Sequence, residues 1–253
     1  MKLEFYPSIY KRKSFHTFKN IEKEKISHQE LETIYSIYST FESLFEIQTK
    51  IRIVSGNQIE KSRDGQYCIL FYSELKENYL QNIGYLGQQM DFYLTSHNIG
   101  TLWYGIGKPD IEQIDSLHFV IMMIFSKIKD SVHFRKDMFK SKRKPLNEIW
   151  KGKQIEGVSG IIRYSCSACN LQPWFVHRKE DRLYIYRIYD GNRRGIMPKN
   201  KVIFYNKIDM GIFLCFLNLC LVHEKIPYEM EFQSDTEEQE KNLYAIYKIK
   251  TSS

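Results

Sequence analysis

The chain has 253 residues, a length that admits one large domain or two small ones. Hydrophobic residues make up 43% and charged residues 26%, which excludes wholesale disorder. Lys and Arg number 37 against 30 Asp and Glu, a net charge of +7; split at residue 150, the counts are 21 and 18, then 16 and 12, or +3 and +4, so no basic tail or strongly basic half points to nucleic acid.

The N-terminus, Met1 to Pro7, has no apolar signal core. Gln29 to Glu46 repeats apolar residues at helical spacing. Lys50 to Val54 alternates as a strand, 56–65 is a polar loop, and Gln66 to Ser73 is a buried-type strand. Leu75 to Asn98 predicts a long helix, with Gly100 as its C-cap. Thr101 to Tyr104 is short and extended, His118 to Ile128 is a second buried-type strand, and Phe139 to Pro145 is a basic loop. Lys153 to Ser165 predicts a helix weakened by Gly157 and Gly160. A hairpin joins Pro173–Arg178 to Arg182–Tyr189 across Lys179-Glu180-Asp181. Asp209 to Lys225 predicts a helix; Tyr228 to Gln233 and Leu243 to Lys250 predict strands on either side of the acidic loop Thr236 to Glu240.

Both parts therefore read helix, strand, strand, long helix, strand, strand. Gly84 opens GYLGQQMDFYLTSHNI and Gly211 opens GIFLCFLNLCLVHEKI, each sixteen residues to an Ile. A degenerate internal duplication accounts for this echo, as would two unrelated α+β segments of similar order. Five Cys, an odd number in a long chain, argue against a disulfide framework and for a reducing cytoplasm. The most apolar run, Met210 to Val222, is shorter than the ~20 residues a bilayer span needs, so no membrane role is expected.

Two segments could carry chemistry. Lys11-Arg12-Lys13-Ser14 offers three cations and a hydroxyl, suited to a phosphate, although such quartets are often simply solvated. The dispersed positive charge likewise suits an anionic small molecule or only solubility. Arg163 to Trp174 is dense in small and amide residues whose neutral donors and acceptors suit the edge of a heterocycle, or cap turns. Cys166 and Cys169 form C-x-x-C, but no second pair stands at metal spacing, so no metal site is expected; a redox dithiol is the minor alternative.

These residues resemble the FMN-dependent nitroreductase family. Its R-[RK]-S-x-x-x-F element is matched by Arg12, Lys13, Ser14 and Phe18, and its P-S-x-x-N-x-Q-P-W element by Ser167, Asn170, Gln172, Pro173 and Trp174. Gly100 to Gly105 looks like the glycine-bearing strand that passes the flavin, and Arg143-Lys144-Pro145 like the late basic phosphate contact. Cys166 stands where the family has Pro, and His16 where many members have a second Arg. The serine-asparagine element lies in the second half, whereas ordinary members carry it soon after the arginine element and form homodimers with the flavin at the interface. The chain is therefore similar to a single-chain, two-lobed branch with an internal pseudo-dimer and one flavin site.

The resemblance implies an α+β, nitroreductase-like fold of two pseudo-symmetric lobes, 1–150 and 151–253. It implies that Arg12, Lys13, Ser14, Arg143 and Lys144 hold the phosphate and ribityl chain of FMN. Leu102, Trp103, Tyr104 and Gly105 would lie along the ring, with Cys166, Ser167, Asn170 and Gln172 reaching it from the other lobe. NADH or NADPH would deliver hydride to flavin N5, and a nitro, quinone or other conjugated small molecule would accept the electrons; no side-chain catalytic residue is implied. The expected protein is a monomeric cytoplasmic oxidoreductase that binds neither membrane nor nucleic acid. The rival readings are a flavin-binding sensor or carrier without turnover and, with no motif behind it, a basic nucleic-acid-binding protein.

Overall fold

A computed structural model describes residues 1–136, 142–190, 194–235 and 240–250. The expected acidic loop at 236–240 lies outside these residues except for Glu240, as does the 139–141 part of the basic loop. Contacts divide the chain into two compact units, Pro7–Phe139 and Met1–Tyr6 with Lys140–Ser253. The boundary thus falls before residue 150. The stretch preceding it joins the second unit because its backbone and side chains bond there, at Trp150 with Val176 and at Lys144 with Gln172.

In the first unit, α1 (Tyr6–Lys11, whose first residue counts with the second unit) leads to α2 (His28–Ile37), then β1 (Thr49–Ser55), β2 (Tyr67–Ser73), α3 (Tyr79–Ser96), β3 (Ile99–Tyr104), β4 (Gln113–Ile114) and β5 (Leu117–Lys127). The sheet has the order β1-β2-β5-β3, every pair antiparallel, with β4 beside β5. Strand alternation sends Leu102 and Tyr104 of β3 into an apolar cluster with Phe15, Phe18, Tyr72 and Met122. Trp103, between them, points the other way, onto Gly87 of α3 and against Phe71. Every residue of α3 from Leu80 to Thr95 is buried, so its polar side chains must find partners inside.

Those partners explain where the expected helix 29–46 stops. A capping box starts α2: the Ser27 hydroxyl accepts from the Glu30 N–H at 3.2 Å and the Glu30 carboxylate from the Ser27 N–H at 2.8 Å. Helix then gives way to a 3-10 turn at Tyr38–Thr40 and an irregular stretch. There α3 side chains substitute for helical hydrogen bonds. Asn82 Oδ1 accepts from the Leu44 and Phe45 N–H groups at 2.9 and 3.3 Å, and Gln89 brackets Glu42, donating to its carbonyl at 2.8 Å and accepting from its N–H at 3.3 Å.

Gly100 is not the cap of α3. The helix ends on His97, Asn98 takes the left-handed conformation (φ 58°), and Gly100 lies inside β3. A Cβ at Gly100 would stand 2.8–3.0 Å from ring atoms of Phe15, so the missing side chain makes room for that ring.

The second unit contains α4 (Leu146–Ile149), β6 (Trp150–Lys151), α5 (Ser159–Ile162), β7 (Trp174–Lys179), β8 (Arg182–Ile188), α6 (Val202–His223), β9 (Tyr228–Phe232) and β10 (Lys241–Ile249). Its sheet runs β6-β7-β8-β10-β9; β6 is parallel to β7 and the other pairs are antiparallel. The β7–β8 hairpin turns through Glu180 at φ 53°, where it was expected. The helix expected over 153–165 shrinks to the single turn α5, since Gly157 holds φ +68° and ends any continuous spiral. Helix α6 starts earlier than the expected Asp209. Lys199–His223 is long and apolar enough to cross a membrane, and 78% of its most apolar window is buried within the chain, the pattern of a core helix. It packs on α5, β8 and the 3-10 turn Leu3–Phe5, and Tyr6 stacks on its His223 at 3.5 Å between ring centres.

In strand sequence the two sheets agree. Setting aside the short β4 and β6, each has the order first, second, fourth, third, with a long helix between the second and third strands.

Candidate functional site

Arg12 follows the last residue of α1, its N–H still bonded to the Ser8 carbonyl at 2.8 Å. The side chain is 4% exposed and its Nε donates to Asp91 Oδ2 at 2.5 Å. Thr101 Oγ donates to Asp91 Oδ1 at 2.5 Å, and Gln88 Nε2 to Oδ2 at 3.3 Å. One buried carboxylate therefore binds the basic segment, α3 and β3 together. Ser14 bridges to Thr101 of β3, and the Phe15 N–H donates to the Thr101 carbonyl at 2.9 Å. Lys13 lies 4.8 Å over the Phe15 ring; desolvation, then the charge of Arg135, holds its pKa below the usual lysine value. Lys11 donates to Asn98 Oδ1 at 2.6 Å. Of the expected clamp residues, Arg12 and Ser14 are thus held at the start of β3. Farther along, Leu102 and Tyr104 are committed to the apolar core, the buried Nε1 of the partly buried Trp103 has no hydrogen-bond partner among the described residues, and Gly105 is exposed.

In the second unit the basic element and the serine-asparagine element meet directly. Arg143 Nη1 donates to Asn170 Oδ1, and Asn170 Nδ2 donates to the Lys142 carbonyl at 3.0 Å. The Lys144 N–H donates to Gln172 Oε1 at 2.8 Å and its ammonium to the Gln172 carbonyl at 3.0 Å. Ser167 Oγ accepts from the Gln172 N–H at 2.9 Å and closes the turn. Cys169, Asn170 and Gln172 all take positive φ, 49°, 57° and 52°, and such strain in non-glycine residues persists only where the surroundings enforce it. Asp209 of α6 is one such restraint: its carboxylate accepts from the Ala168 N–H at 3.0 and 3.2 Å. Burial pushes that carboxyl well above the usual carboxylate range, and the Ala168 hydrogen bond offsets only part of this. Trp174 is buried and stacks on Phe213 of α6 at 5.0 Å.

A cavity of about 440 Å³ opens among these residues, with Lys142, Arg143, Lys144 and Arg194 around it beside the amides of Asn170 and Gln172. Among the described residues no carboxylate lines it. Such a site can hold a phosphate with its cations and satisfy polar ring or ribityl atoms with its amides, so the residues present fit an FMN-type ligand. Among the described residues, no three His, Cys, Asp or Glu are placed to hold a metal. Cys166 is buried and Cys169 exposed, and neither forms a disulfide among the described residues.

Three participants escaped sequence reasoning: Asp91, Asp209 and Arg194. Asp91 is the only charged residue in α3, so a lone carboxylate amid a long uncharged stretch was an available signal. Arg194 had none, because nothing local ties it to residues near 143 or 170.

The chain matches the family described as "Putative TM nitroreductase" over residues 4–220. Among solved structures it is similar to a putative nitroreductase from Thermotoga maritima, 16% identical, covering 98% of this chain and 93% of that one with a TM-score of 0.61. That likeness establishes a nitroreductase-like fold. A nitroreductase family protein from Clostridium difficile 630 is 13% identical, covering 61% of this chain and 99% of its own at a TM-score of 0.45. A putative nitroreductase from Desulfovibrio desulfuricans, solved in complex with FMN, is 14% identical, covering 60% and 97% at 0.43. No curated protein matches the chain.

Proposed function

Because the chain belongs to this nitroreductase-like family, we propose that it is an FMN-dependent oxidoreductase taking hydride from NADH or NADPH and reducing a nitro, quinone or other conjugated small molecule. The observation that carries the flavin reading is the convergence of Arg143 and Lys144 with Asn170 and Gln172 on one cation-lined cavity. Arg12, Lys13, Ser14 and the main chain of Leu102, Trp103, Tyr104 and Gly105 are proposed as the flavin-binding groups of the first unit, the side chains of Leu102 and Tyr104 being taken up by the core; Arg143, Lys144, Cys166, Ser167, Asn170 and Gln172 are those of the second. When bound, FMN supplies hydride acceptance and donation at N5.

The chain's own groups bind and orient. Cations hold the phosphate, and amides and backbone N–H groups meet polar ring atoms. Their positive potential favours the anionic reduced state. No side-chain acid or base is assigned. The matching strand sequence of the two units supports an internal duplication, and with it one FMN per monomeric chain, which we propose works in the cytoplasm.

An absorbance spectrum of the purified protein tests the reading. The expected result is one FMN per chain, bleached by NADH or NADPH and reoxidised by a quinone. A yellow chain that ignores both nucleotides would instead indicate a flavin sensor or carrier, and a chain that takes up no FMN would end the flavin assignment.

A further inference from the structure

We propose that the cavity of the second unit is a phosphate-ester site and that Arg194, which belongs to neither sequence element, is one of its ligand-binding groups. Arg194 is held in place by its own loop: its Nη1 donates to the Met197 carbonyl at 2.8 Å. A carbonyl oxygen orients the guanidinium without neutralising it, and the rest of the planar fork matches the spacing of two phosphate oxygens. The loop reaches the cavity because Gly195 takes φ +55° and packs against Cys169; a Cβ there would stand 2.8 Å from the Cys169 Cβ and 3.0 Å from its Sγ. Glycine therefore lets the 194–197 turn close on the 167–172 turn, which puts Arg194 in the same cavity as Lys142, Arg143 and Lys144.

Charge and size define the ligand. Among the described residues, four cations and no carboxylate line the cavity, which raises the local concentration of anions and disfavours neutral ligands. Its volume of about 440 Å³ lies in the range of small-molecule sites, more than a bare ion fills and enough for a phosphate with its attached sugar. Two esters carry this chemistry within the function proposed above, on which this part of the inference rests: the 5′-phosphate of FMN and the 2′-phosphate that separates NADPH from NADH.

The experiment compares each phosphorylated ligand with its unphosphorylated counterpart, in the wild type, Arg194→Gln and Lys142→Gln. Affinities for FMN and riboflavin are measured on the flavin-free chain, and those for NADPH and NADH on the flavin-loaded chain. Loss of a charge-assisted contact should weaken one phosphorylated ligand ~10- to 100-fold and leave its counterpart unchanged. Weakened FMN assigns the site to the cofactor's phosphate; weakened NADPH assigns it to the reductant's. Unchanged affinity for both, or an equal loss for riboflavin and NADH, overturns the proposal. Lys142 is exposed, so its variant reports on the cavity even if Arg194→Gln fails to fold. Should the chain bind no flavin at all, pyrophosphate still decides: thermal stabilisation of the wild type but not of Arg194→Gln supports the site, and stabilisation of neither refutes it.

Discussion

Asp209 shows what one side chain can do at this site. Its carboxylate is buried and accepts the Ala168 N–H, and its pKa is raised chiefly by desolvation. A native carboxyl that titrates above its unfolded value of 3.8 binds more protons folded than unfolded, so its contribution to stability declines as pH rises above that value. Asparagine keeps an acceptor for Ala168 and removes the titration. Asp209→Asn should therefore gain stability over the wild type as pH rises from 4 to 8 in urea unfolding, while Asp209→Ala, which strands the N–H, should lose ~1–3 kcal/mol and weaken the proposed FMN binding. A wild type and Asn variant that run parallel across that range would show that Asp209 does not titrate as argued. Gly100 makes a steric counterpart. Gly100→Ala should cost ~1–3 kcal/mol through its clash with the buried ring of Phe15, and Phe15→Leu in the same chain should recover part of the loss.

At the scale of elements, the two long helices do matching work. Asn82 stands two residues before Gly84 in α3 and accepts the N–H groups of Leu44 and Phe45; Asp209 stands two residues before Gly211 in α6 and accepts that of Ala168. Each helix thereby fixes the irregular stretch just before the first strand of its hairpin. In α6 that stretch bears Ser167, Asn170 and Gln172. Helix α2 depends on a local device, the Ser27–Glu30 box, and Ser27→Ala should cost ~1 kcal/mol. Lys127 and the box hold the Glu30 carboxyl at about 2 against an ordinary 4.5. That contribution is complete above pH 4.5 and is lost as pH falls toward 2. Because Glu30 is partly exposed, the loss should be modest and shrink in high salt; acid unfolding of the wild type against Glu30→Gln measures it.

At the scale of the whole molecule, the second unit is discontinuous, taking Met1–Tyr6 along with Lys140–Ser253. Phe5 is 1% exposed, and Tyr6 stacks on His223 of α6. A chain beginning at Pro7 should therefore lose about 3 kcal/mol or more, read as a lower urea midpoint, although no residue of the proposed site has been removed. Unchanged stability would mean that the terminal segment does not complete the core of that unit.

Strand positions, the hairpin and the α+β class were legible in sequence, because alternation, helical spacing and turn residues are local signals. So was the resemblance carried by Arg12 to Phe18 and Ser167 to Trp174, since the spacing within each run survives in one dimension. The stop of α2 before the expected Glu46, the place of Gly100 under Phe15 and the meeting of Arg143 with Asn170 were decided by tertiary structure. In each case the deciding partner lies far along the chain: α3 side chains substitute for helical hydrogen bonds, a ring needs the space of a Cβ, and a cation finds an amide 27 residues away. Local propensity is worth tenths of a kcal/mol per residue, whereas an unsatisfied buried polar group costs ~1–3 kcal/mol, so the distant contact prevails wherever the two disagree.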